Sequence, residues 1–376
     1  MQEVNAIVAG AGVWGCTVAR LLAEKGLRVL VLEERSAPGG NCRTEDVDGI
    51  EVHTFGSHIF HTHIARVWDF VRRFTEFNGY QHKVLARHGE KTYFMPLGLT
   101  LVNGFYGIDL KPEELAAFIA GEVEKAGVPD KPANFEEQAI AFVGRPLYEA
   151  FIKNYTLKQW NRDPKELDAS IIKRLPVRSS YDTNYFSDLW QGIPSGGYNA
   201  LFDALLNHPR ITLKCSVDYL AVRKTLPEVP VFYSGAIDRL CGWRLGALPW
   251  RSLRFERESL PIADYQGTSV MNYTDADVPY TRIHEFKHFH PERKDVMEKR
   301  FTEISIEYPA DWKEGDEPYY PVSSRESEEL VGAYRKLAAE MFPGMIIGGR
   351  LGGYKYYDMD RSIDAAFDAV DKFCRV

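Results

Sequence analysis

The sequence predicts an α/β protein in which one discontinuous α/β domain carries a helical insertion and an antiparallel β-sheet domain. Three features of the 376 residues predict this class. A strand, glycine turn, helix and strand open the chain, helical patterns dominate residues 111–173, and alternating β-branched and aromatic residues occupy 251–308. A weaker strand-and-helix pattern returns near the C-terminus, so we expect the first domain to be completed there.

The opening unit combines two apolar strands with one helix. Residues 4–9 form a short apolar run followed by Gly10, and residues 13–25 carry apolar side chains at helical spacing until Gly26. A second apolar run at 28–32 is followed by Glu33. This order is typical of a βαβ unit.

Later elements are predicted from periodicity and from residues that favour helix starts. Helices are predicted at 64–75, from Pro112, at 135–143, from near Pro146, and at 199–206, 324–341 and 361–373. Strands are predicted at 211–215, 229–233 and 345–347. The α/β domain is assigned to 1–80, 196–245 and 335–376, the helical insertion to 100–175, and the antiparallel sheet to 81–99, 176–195 and 246–334.

Composition excludes several classes of protein. A formal net charge of -7 argues against general nucleic-acid binding, because phosphates require a basic surface. The odd number of scattered cysteines, without a C-x-x-C pair, predicts reduced thiols and neither a disulfide framework nor a zinc ribbon. Neither a signal peptide nor an apolar run of about 20 residues is evident, so we expect a cytoplasmic protein without membrane insertion.

The segment Gly10-Ala11-Gly12-Val13-Trp14-Gly15 is a G-x-G-x-x-G motif in the context that binds dinucleotides. Gly10 permits a tight turn, Gly12 lets the backbone approach a pyrophosphate, and Gly15 allows the helix to pack closely on the strand. The helix N-terminus attracts the phosphates, and the acidic residue after the second strand is expected to bind the ribose.

Two further glycine turns favour FAD over NAD. Gly39-Gly40 resembles the extended motif of glutathione-reductase-like and amine-oxidase-like flavoproteins, and Gly348-Gly349-Arg350 resembles their second flavin-contacting segment. A final helix starting near Met359 is positioned to direct its N-terminus at the flavin. The predicted cofactor-binding residues outside the first motif are Glu33, Glu34, Arg35, Gly40, Asn41, Val217, Arg350 and Met359.

The segment Gly56-Ser57-His58-Ile59-Phe60-His61-Thr62 resembles the G-x-H-I-F-H-T signature of bacterial UDP-galactopyranose mutases. Segments at 155–160, 172–178, 184–188, 192–198, 278–282 and 354–359 resemble other blocks of this family, in the same order. The blocks extend over nearly the whole chain. Together they are specific, whereas each block alone is weak.

The resemblance implies an FAD-binding Rossmann-like domain, a helical insertion with a mobile substrate loop, and an antiparallel sheet. It implies reversible conversion of UDP-galactopyranose to UDP-galactofuranose, with no net redox, through a covalent adduct between N5 of reduced FAD and the sugar. It also implies NAD(P)H as external reductant, a homodimer, and a role in cell-surface polysaccharide biosynthesis.

The same resemblance assigns roles to individual residues. Arg174 and Arg282 are expected to clamp the diphosphate, since a guanidinium binds phosphate oxygens in a bidentate manner. Arg174 is expected on the mobile loop, and His58 is expected beside flavin N5. The predicted substrate-binding residues are Tyr155, Trp160, Tyr185, Asn272, Tyr320, Tyr356, His61 and His82.

Without the resemblance, these residues have ordinary interpretations. Arg174 lies beside Lys173 in what reads as a solvated charge run, Arg282 reads as a surface ion-pair residue, and the tyrosine pairs read as sheet packing. The histidines at 53–63 allow a metal hypothesis. We predict no metal, because the family signature accounts for this stretch.

Two departures from the family pattern leave the substrate open. His82 occurs where an asparagine is expected, and Leu351-Gly352-Gly353 differs from the expected acidic-flanked form. His61 favours galactose over its N-acetyl derivative. A deoxyhexose on another base remains an alternative, as do an amine-oxidase-like flavin oxidase and a non-catalytic protein that binds flavin or a sugar nucleotide.

Overall fold

A computed structural model describes residues 3–172, 176–322 and 324–375. The chain divides into two compact units. The first comprises Met1–Tyr80, Asp188–Trp250 and Tyr320–Val376, and the second comprises Gln81–Ser187 and Arg251–Tyr319. The helical segment and the antiparallel strands fall in the same second unit, and their division into two separate domains stays a prediction.

A parallel sheet forms the centre of the first unit. Across its described residues, the strand order is Ile346–Ile347, Val231–Tyr233, Ala6–Ala9, Val29–Leu32 and Ile211–Lys214. Every residue of the two N-terminal strands is buried, which explains their unbroken apolar sequences. The predicted βαβ unit at the start of the chain is therefore present.

Helices and short strand pairs complete the first unit. Its helices are Val13–Glu24, Ala65–Val71, Gly197–Leu206, Tyr219–Val222, Ile237–Leu240, Arg325–Met341, Gly349–Gly353 and Met359–Cys374, with short 3-10 turns at Gly40–Cys42 and Arg223–Thr225. Thr44–Val47 pairs antiparallel with Ile50–His53, and Phe60–Thr62 pairs antiparallel with Trp190–Gly192. A two-residue strand lies at Tyr320–Pro321.

A mixed sheet forms one part of the second unit. Six strands of this sheet lie in the order Trp250–Leu260, Thr302–Asp311, Arg282–Glu285, Val270–Tyr273, Val84–His88 and Lys91–Met95. The pairing is antiparallel except between Val84–His88 and Val270–Tyr273, which run parallel. The predicted antiparallel character thus holds for all but one of these neighbours.

The other part of the second unit is helical. Its helices are Leu99–Tyr106, Pro112–Ala126, Phe135–Val143, Arg145–Leu147, Asn154–Trp160 and Lys294–Met297, with a π-helical turn at Tyr148–Lys153 and 3-10 turns at Pro164–Glu166, Ala169–Ile171 and Phe286–Phe289. Leu99, Leu147 and Tyr148 lie fully buried in its apolar cluster. Within the part of the chain that the structure describes, no helix has both the length and the apolar character to cross a bilayer.

Element boundaries differ from the sequence predictions where tertiary contacts decide them. The helix Leu99–Tyr106 was not predicted, and its first N–H donates to the carbonyl oxygen of Arg178 at 2.9 Å. The helix predicted at 64–75 ends at Val71, and the last helix begins at Met359, two residues before the start predicted from periodicity. Local patterns do not contain such contacts.

A buried polar network crosses the sheet of the second unit. Glu307 is 2% exposed and accepts a hydrogen bond from Thr281 Oγ1 at 3.0 Å. Its carboxylate also lies 3.2 Å from Arg282 Nε and 3.2 Å from His284 Nε2. Burial acts to raise the pKa of Glu307, but Arg282 and His284 outweigh it, and the pKa is lowered. Burial lowers the pKa of His284, against the opposing effect of Glu307.

This network predicts an acid-sensitive fold. The unfolded chain binds a proton at His284 near pH 6.5, whereas the folded chain binds it only at lower pH, so the free energy of unfolding should fall as the pH drops below 6.5, by at most about 1.4 kcal/mol per pH unit. Urea unfolding at several pH values measures the slope. His284→Gln removes the titrating group and should flatten the slope. An unchanged slope in this variant would contradict the assignment.

Candidate active site

The glycines of the N-terminal motif differ in why they must be glycine. Gly10 has a φ of +99°, and an added Cβ would lie 2.2 Å from Ser234 Oγ. A Cβ on Gly15 would lie 1.9 Å from the carbonyl oxygen of Gly10. Both positions therefore exclude side chains because of the protein's own packing, as expected for the tight turn and the close helix–strand contact.

Gly12 has no such internal reason. Its φ of -76° suits any residue, and the nearest heavy atom to an added Cβ is Gly40 Cα at 3.9 Å. It lies at the N-cap of the helix Val13–Glu24, where free backbone N–H groups attract an anion. The space beside Gly12 fits a phosphate that approaches the backbone, which is the role predicted from the sequence.

The second glycine turn contacts the first. Gly39 N donates to Ala11 O at 2.8 Å, and Gly40 has a φ of +57°. Glu33 is 5% exposed, and its carboxylate accepts hydrogen bonds from Ala11 N at 2.6 Å and Arg35 N at 2.9 Å. Burial raises the pKa of Glu33, against these two N–H groups. Glu33 thus joins the two turns at the carboxyl ends of neighbouring strands.

The other predicted cofactor residues nearby also make defined contacts. Arg35 Nη2 donates to Asn41 Oδ1 at 2.9 Å, and Val217 N donates to Glu33 O at 2.9 Å. Glu34 is half exposed and forms an ion pair with Arg239 Nη1 at 2.6 Å. These segments come from distant parts of the sequence and meet at one edge of the parallel sheet.

The C-terminal glycine segment is packed against the N-terminal motif. A Cβ on Gly348 would lie 2.3 Å from Trp14 Cζ2, so the two segments approach too closely for a side chain. Arg350 lies over the ring of Tyr356, with 5.0 Å from its Cζ to the ring centroid. Tyr356 in turn stacks on Tyr320, with ring centroids 5.9 Å apart.

Met359 is the first residue of the last helix, as expected for a helix whose N-terminus approaches the flavin. The N-cap residue is Asp358, whose side chain makes no capping hydrogen bond. Within the first unit the structure therefore brings together the predicted residues of three glycine turns and one helix start. The sequence had indicated each of these segments separately.

The histidine-rich segment is fixed by hydrogen bonds within the first unit. His58 Nδ1 lies 2.7 Å from Gly56 O, and His58 N donates to His53 Nδ1 at 3.0 Å. His61 Nδ1 lies 2.8 Å from Asp188 Oδ2, while His63 Nδ1 lies 2.9 Å from the other oxygen of this carboxylate. Burial raises the pKa of Asp188, but the two histidines outweigh it and the pKa is lowered.

In the second unit, Asn272, Arg282 and Glu307 lie side by side in one row across the sheet. Arg282 pairs with Asn272 on one neighbouring strand and with Glu307 on the other. Arg282 Nη2 also donates to the hydroxyl of Tyr155 on the helix Asn154–Trp160. The Oδ1 atom of Asn272 is buried and has no hydrogen-bond partner among the described residues. The Arg282 side chain remains 30% exposed, so it retains surface for a ligand.

His82 and Tyr185 form a second group in the same unit. Tyr185 N donates to His82 O at 2.8 Å, and their rings meet edge to face with centroids 5.6 Å apart. His82 is buried and also stacks on Phe186 at 5.4 Å. Arg178 supports this loop through a hydrogen bond from Nη2 to Tyr185 O at 3.0 Å.

Two predicted residues have other placements. Trp160 is partly buried and packs against the apolar cluster of the helical segment. Arg174, the predicted diphosphate residue on the mobile loop, lies outside the described residues. Its role stays a prediction.

Sequence reasoning missed four residues that contact the predicted ones or lie beside them. They are Glu307 behind Arg282, Asp188 between two histidines, Arg178 beneath Tyr185, and Lys158 on the helix of Tyr155. Alternation in the strand Thr302–Asp311 places Glu307 on the polar face, opposite Ile304 and Ile306, so the sequence pattern indicates exposure where the structure shows burial. The other three carried no signal beyond membership of a family block.

The metal hypothesis for residues 53–63 has no matching cluster among the described side chains. The group close enough to share an ion consists of Asp264, Glu285 and His288. His288 Nε2 lies 3.2 Å from Asp264 and 3.5 Å from Glu285, and Glu285 also accepts hydrogen bonds from Tyr265 N and Gln266 N. An ion-pair network accounts for these contacts.

Family models match two parts of the chain. A family model described as UDP-galactopyranose mutase matches residues 150–356, and one described as an NAD(P)-binding Rossmann-like domain matches residues 8–74. The first covers more than half of the chain. The second covers the first two glycine turns and Glu33.

Relatives match along almost the entire length. The chain is 39% identical to a probable UDP-galactopyranose mutase of Klebsiella pneumoniae, over 99% of this chain and 95% of the relative. It is also 39% identical to a dTDP-fucopyranose mutase of Escherichia coli, over 98% of both. A crystal structure of reduced UDP-galactopyranose mutase superposes with a TM-score of 0.74 at 16% identity, covering 99% of this chain and 96% of that one, and confirms the fold. The chain belongs to the UDP-galactopyranose mutase family of flavin-dependent isomerases.

Proposed function

We propose that this protein interconverts UDP-galactopyranose and UDP-galactofuranose, with the sugar ring contracted and no net redox change. The observation that carries the proposal is the row of Asn272, Arg282 and Glu307 with Tyr155 against it. A half-buried guanidinium, held by a buried carboxylate and still partly exposed, suits a diphosphate rather than an amine.

FAD fits the first unit. The open space beside Gly12 accepts a pyrophosphate, and Glu33 lies where a ribose hydroxyl is expected. Arg350 and Met359 are assigned to the flavin end. When bound, reduced FAD supplies an electron-rich N5, so the nucleophile belongs to the cofactor rather than to a side chain.

The residues of the second unit have electrostatic tasks in this proposal. The UDP leaving group develops negative charge, and Arg282, together with Arg174, stabilises that charge. Glu307 fixes the orientation of the Arg282 guanidinium, while Tyr155 occupies another of its N–H groups. Asn272 offers its buried amide oxygen to a sugar or base hydrogen-bond donor. The protein thus orients the diphosphate and the sugar.

A second substrate has a specific observation in its favour. The dTDP-fucopyranose mutase of Escherichia coli matches this chain with the same identity as the Klebsiella pneumoniae relative. His82, which departs from the family pattern, is buried against Tyr185 and Phe186. A dTDP-6-deoxyhexose is therefore the alternative substrate, with the same ring-contraction chemistry.

The remaining proposals concern the cellular setting. NAD(P)H is proposed as external reductant of the flavin, and the protein is proposed to act as a cytoplasmic homodimer in polysaccharide biosynthesis. The five cysteines are free thiols, in agreement with a reducing compartment. Size-exclusion chromatography with light scattering measures the oligomeric state directly.

The decisive experiment offers substrate to the dithionite-reduced holoenzyme. We expect UDP-galactofuranose to be converted to UDP-galactopyranose, detected by chromatography, with no oxygen consumed and no reaction by the oxidised form. A parallel assay with the dTDP-6-deoxyhexose pair ranks the two substrates by kcat/KM. An oxidase would instead bleach its flavin with substrate, and a binding protein would bind UDP without converting the sugar.

The open space beside Gly12 yields a test of cofactor binding. Gly12→Val should fold, because the protein leaves room for a side chain, but should purify without FAD and without yellow colour. Absorbance at the flavin band and circular dichroism measure the two properties. Gly121→Val is the control, since Gly121 also has open space around it but lies on another helix. A fully loaded Gly12→Val protein would contradict the assignment.

The arginine assignments predict selective loss of turnover. Arg174→Ala should nearly abolish kcat while FAD stays bound. Arg282→Lys keeps a positive charge beside Glu307 but loses the bidentate fork, so kcat/KM should fall by about 100-fold. Arg254→Lys, an exposed arginine of the same sheet, is the control. Wild-type kinetics of Arg174→Ala would contradict the diphosphate role of Arg174, and wild-type kinetics of Arg282→Lys would contradict that of Arg282.

A further inference from the structure

Lys158 makes an unusual set of contacts for a lysine. It lies on the helix Asn154–Trp160, and its ammonium group is surrounded by backbone carbonyl oxygens. The distances from Nζ are 2.8 Å to Tyr273 O, 3.1 Å to Asp275 O, 3.0 Å to Val278 O and 3.0 Å to Tyr280 O. Tyr273 ends the strand Val270–Tyr273, and the other three oxygens belong to the connection between this strand and Arg282–Glu285.

These carbonyl oxygens replace the hydration shell of the ammonium. Burying a cation is costly unless hydrogen bonds compensate, and here three N–H bonds are shared among four acceptors. Burial lowers the pKa of Lys158 to about 8, against the opposing charges of Asp275 and Asp277. The side chain is therefore mainly an ammonium at neutral pH, and its contacts tie the helix to the connection.

The same helix has three other polar contacts with the sheet. The Tyr155 hydroxyl accepts a hydrogen bond from Arg282, and Gln159 O accepts one from Arg251 Nε at 3.0 Å. Asn161 Nδ2, directly after the helix, donates to Asp311 Oδ2 at 2.9 Å. Lys158 contacts the segment that leads directly into the strand of Arg282.

We propose that Lys158 is a positioning residue for the diphosphate: by holding the helix on the 273–280 connection, it keeps Tyr155 against Arg282. This inference rests on the proposed function, because it assigns Arg282 to the diphosphate. One helical turn separates Lys158 from Tyr155, so a displaced Lys158 moves the tyrosine hydroxyl as well.

A cavity gives access to the lysine. It has a volume of about 280 Å³, and its lining includes Lys158, Asn161, Arg251 and Asp311. Truncating Lys158 to alanine would leave four carbonyl oxygens without their donor, in a place that a small cation can reach. An added ammonium ion can therefore reach these four oxygens and replace the hydrogen-bond donor that the variant lacks.

The test uses the reduced holoenzyme of Lys158→Ala. We expect the Kd for UDP, measured by calorimetry, and the KM for UDP-galactofuranose to rise at least about tenfold, because the Tyr155–Arg282 pair loses its support. FAD content should change little, whereas the melting temperature should fall, because four carbonyl oxygens lose their donor. Methylammonium, which retains three N–H donors, should restore most of the UDP affinity, whereas tetramethylammonium, which has none, should not.

Two further variants complete the design. Lys158→Met keeps the aliphatic stem and tests the same loss of UDP affinity if the alanine variant does not fold. Lys165→Ala is the control, since this lysine is exposed and only 3.9 Å from Glu136 in a weak surface pair. It should bind UDP like the wild type.

The outcomes separate this inference from the proposed function. Wild-type affinity for UDP in Lys158→Ala, or equal rescue by both ammonium ions, would overturn the positioning role. A wild-type protein that binds UDP but converts no sugar would refute the isomerase proposal and leave the result for Lys158 intact. A wild-type protein that does not bind UDP would overturn both.

Discussion

The negative charge of Glu307 lies inside the sheet of the second unit, and its neighbours are the groups that neutralise it. A carboxylate removed from water is stable where hydrogen bonds and opposite charges replace its hydration. Thr281, His284 and Arg282 provide these interactions. Glu307 thereby orients the guanidinium of Arg282. The guanidinium in turn donates a hydrogen bond to Tyr155, which fixes the contact of its helix with the sheet. The positions of Arg282 and Tyr155 thus follow from one buried charge.

In the first unit the corresponding constraint is space. Gly10, Gly15 and Gly348 are glycine because a Cβ would overlap a neighbouring atom of the protein. Gly12 is different, since the protein leaves its side-chain position open. This contrast separates glycines that the packing requires from Gly12, for which we propose cofactor binding.

Local patterns predicted many of the elements but few of their partners. The helix Phe135–Val143 and the strands Ala6–Ala9 and Val29–Leu32 agree with periodicity and burial, because each element has its own apolar face. The helix Leu99–Tyr106 escaped prediction because a distant carbonyl, that of Arg178, accepts a hydrogen bond from its first N–H. The parallel pairing of Val84–His88 with Val270–Tyr273 likewise joins segments far apart in the chain.

By itself, the sequence determined the βαβ unit, the glycine turns and the family blocks, because these depend on residue type and on spacing within short segments. The tertiary structure alone decided that Glu307 lies behind Arg282, that Asp188 binds two histidines, and that Lys158 is surrounded by carbonyl oxygens. The physical reason is that these contacts involve long-range pairs and backbone oxygens. Every residue has such an oxygen, so only the folded chain shows which of them meet one ammonium group.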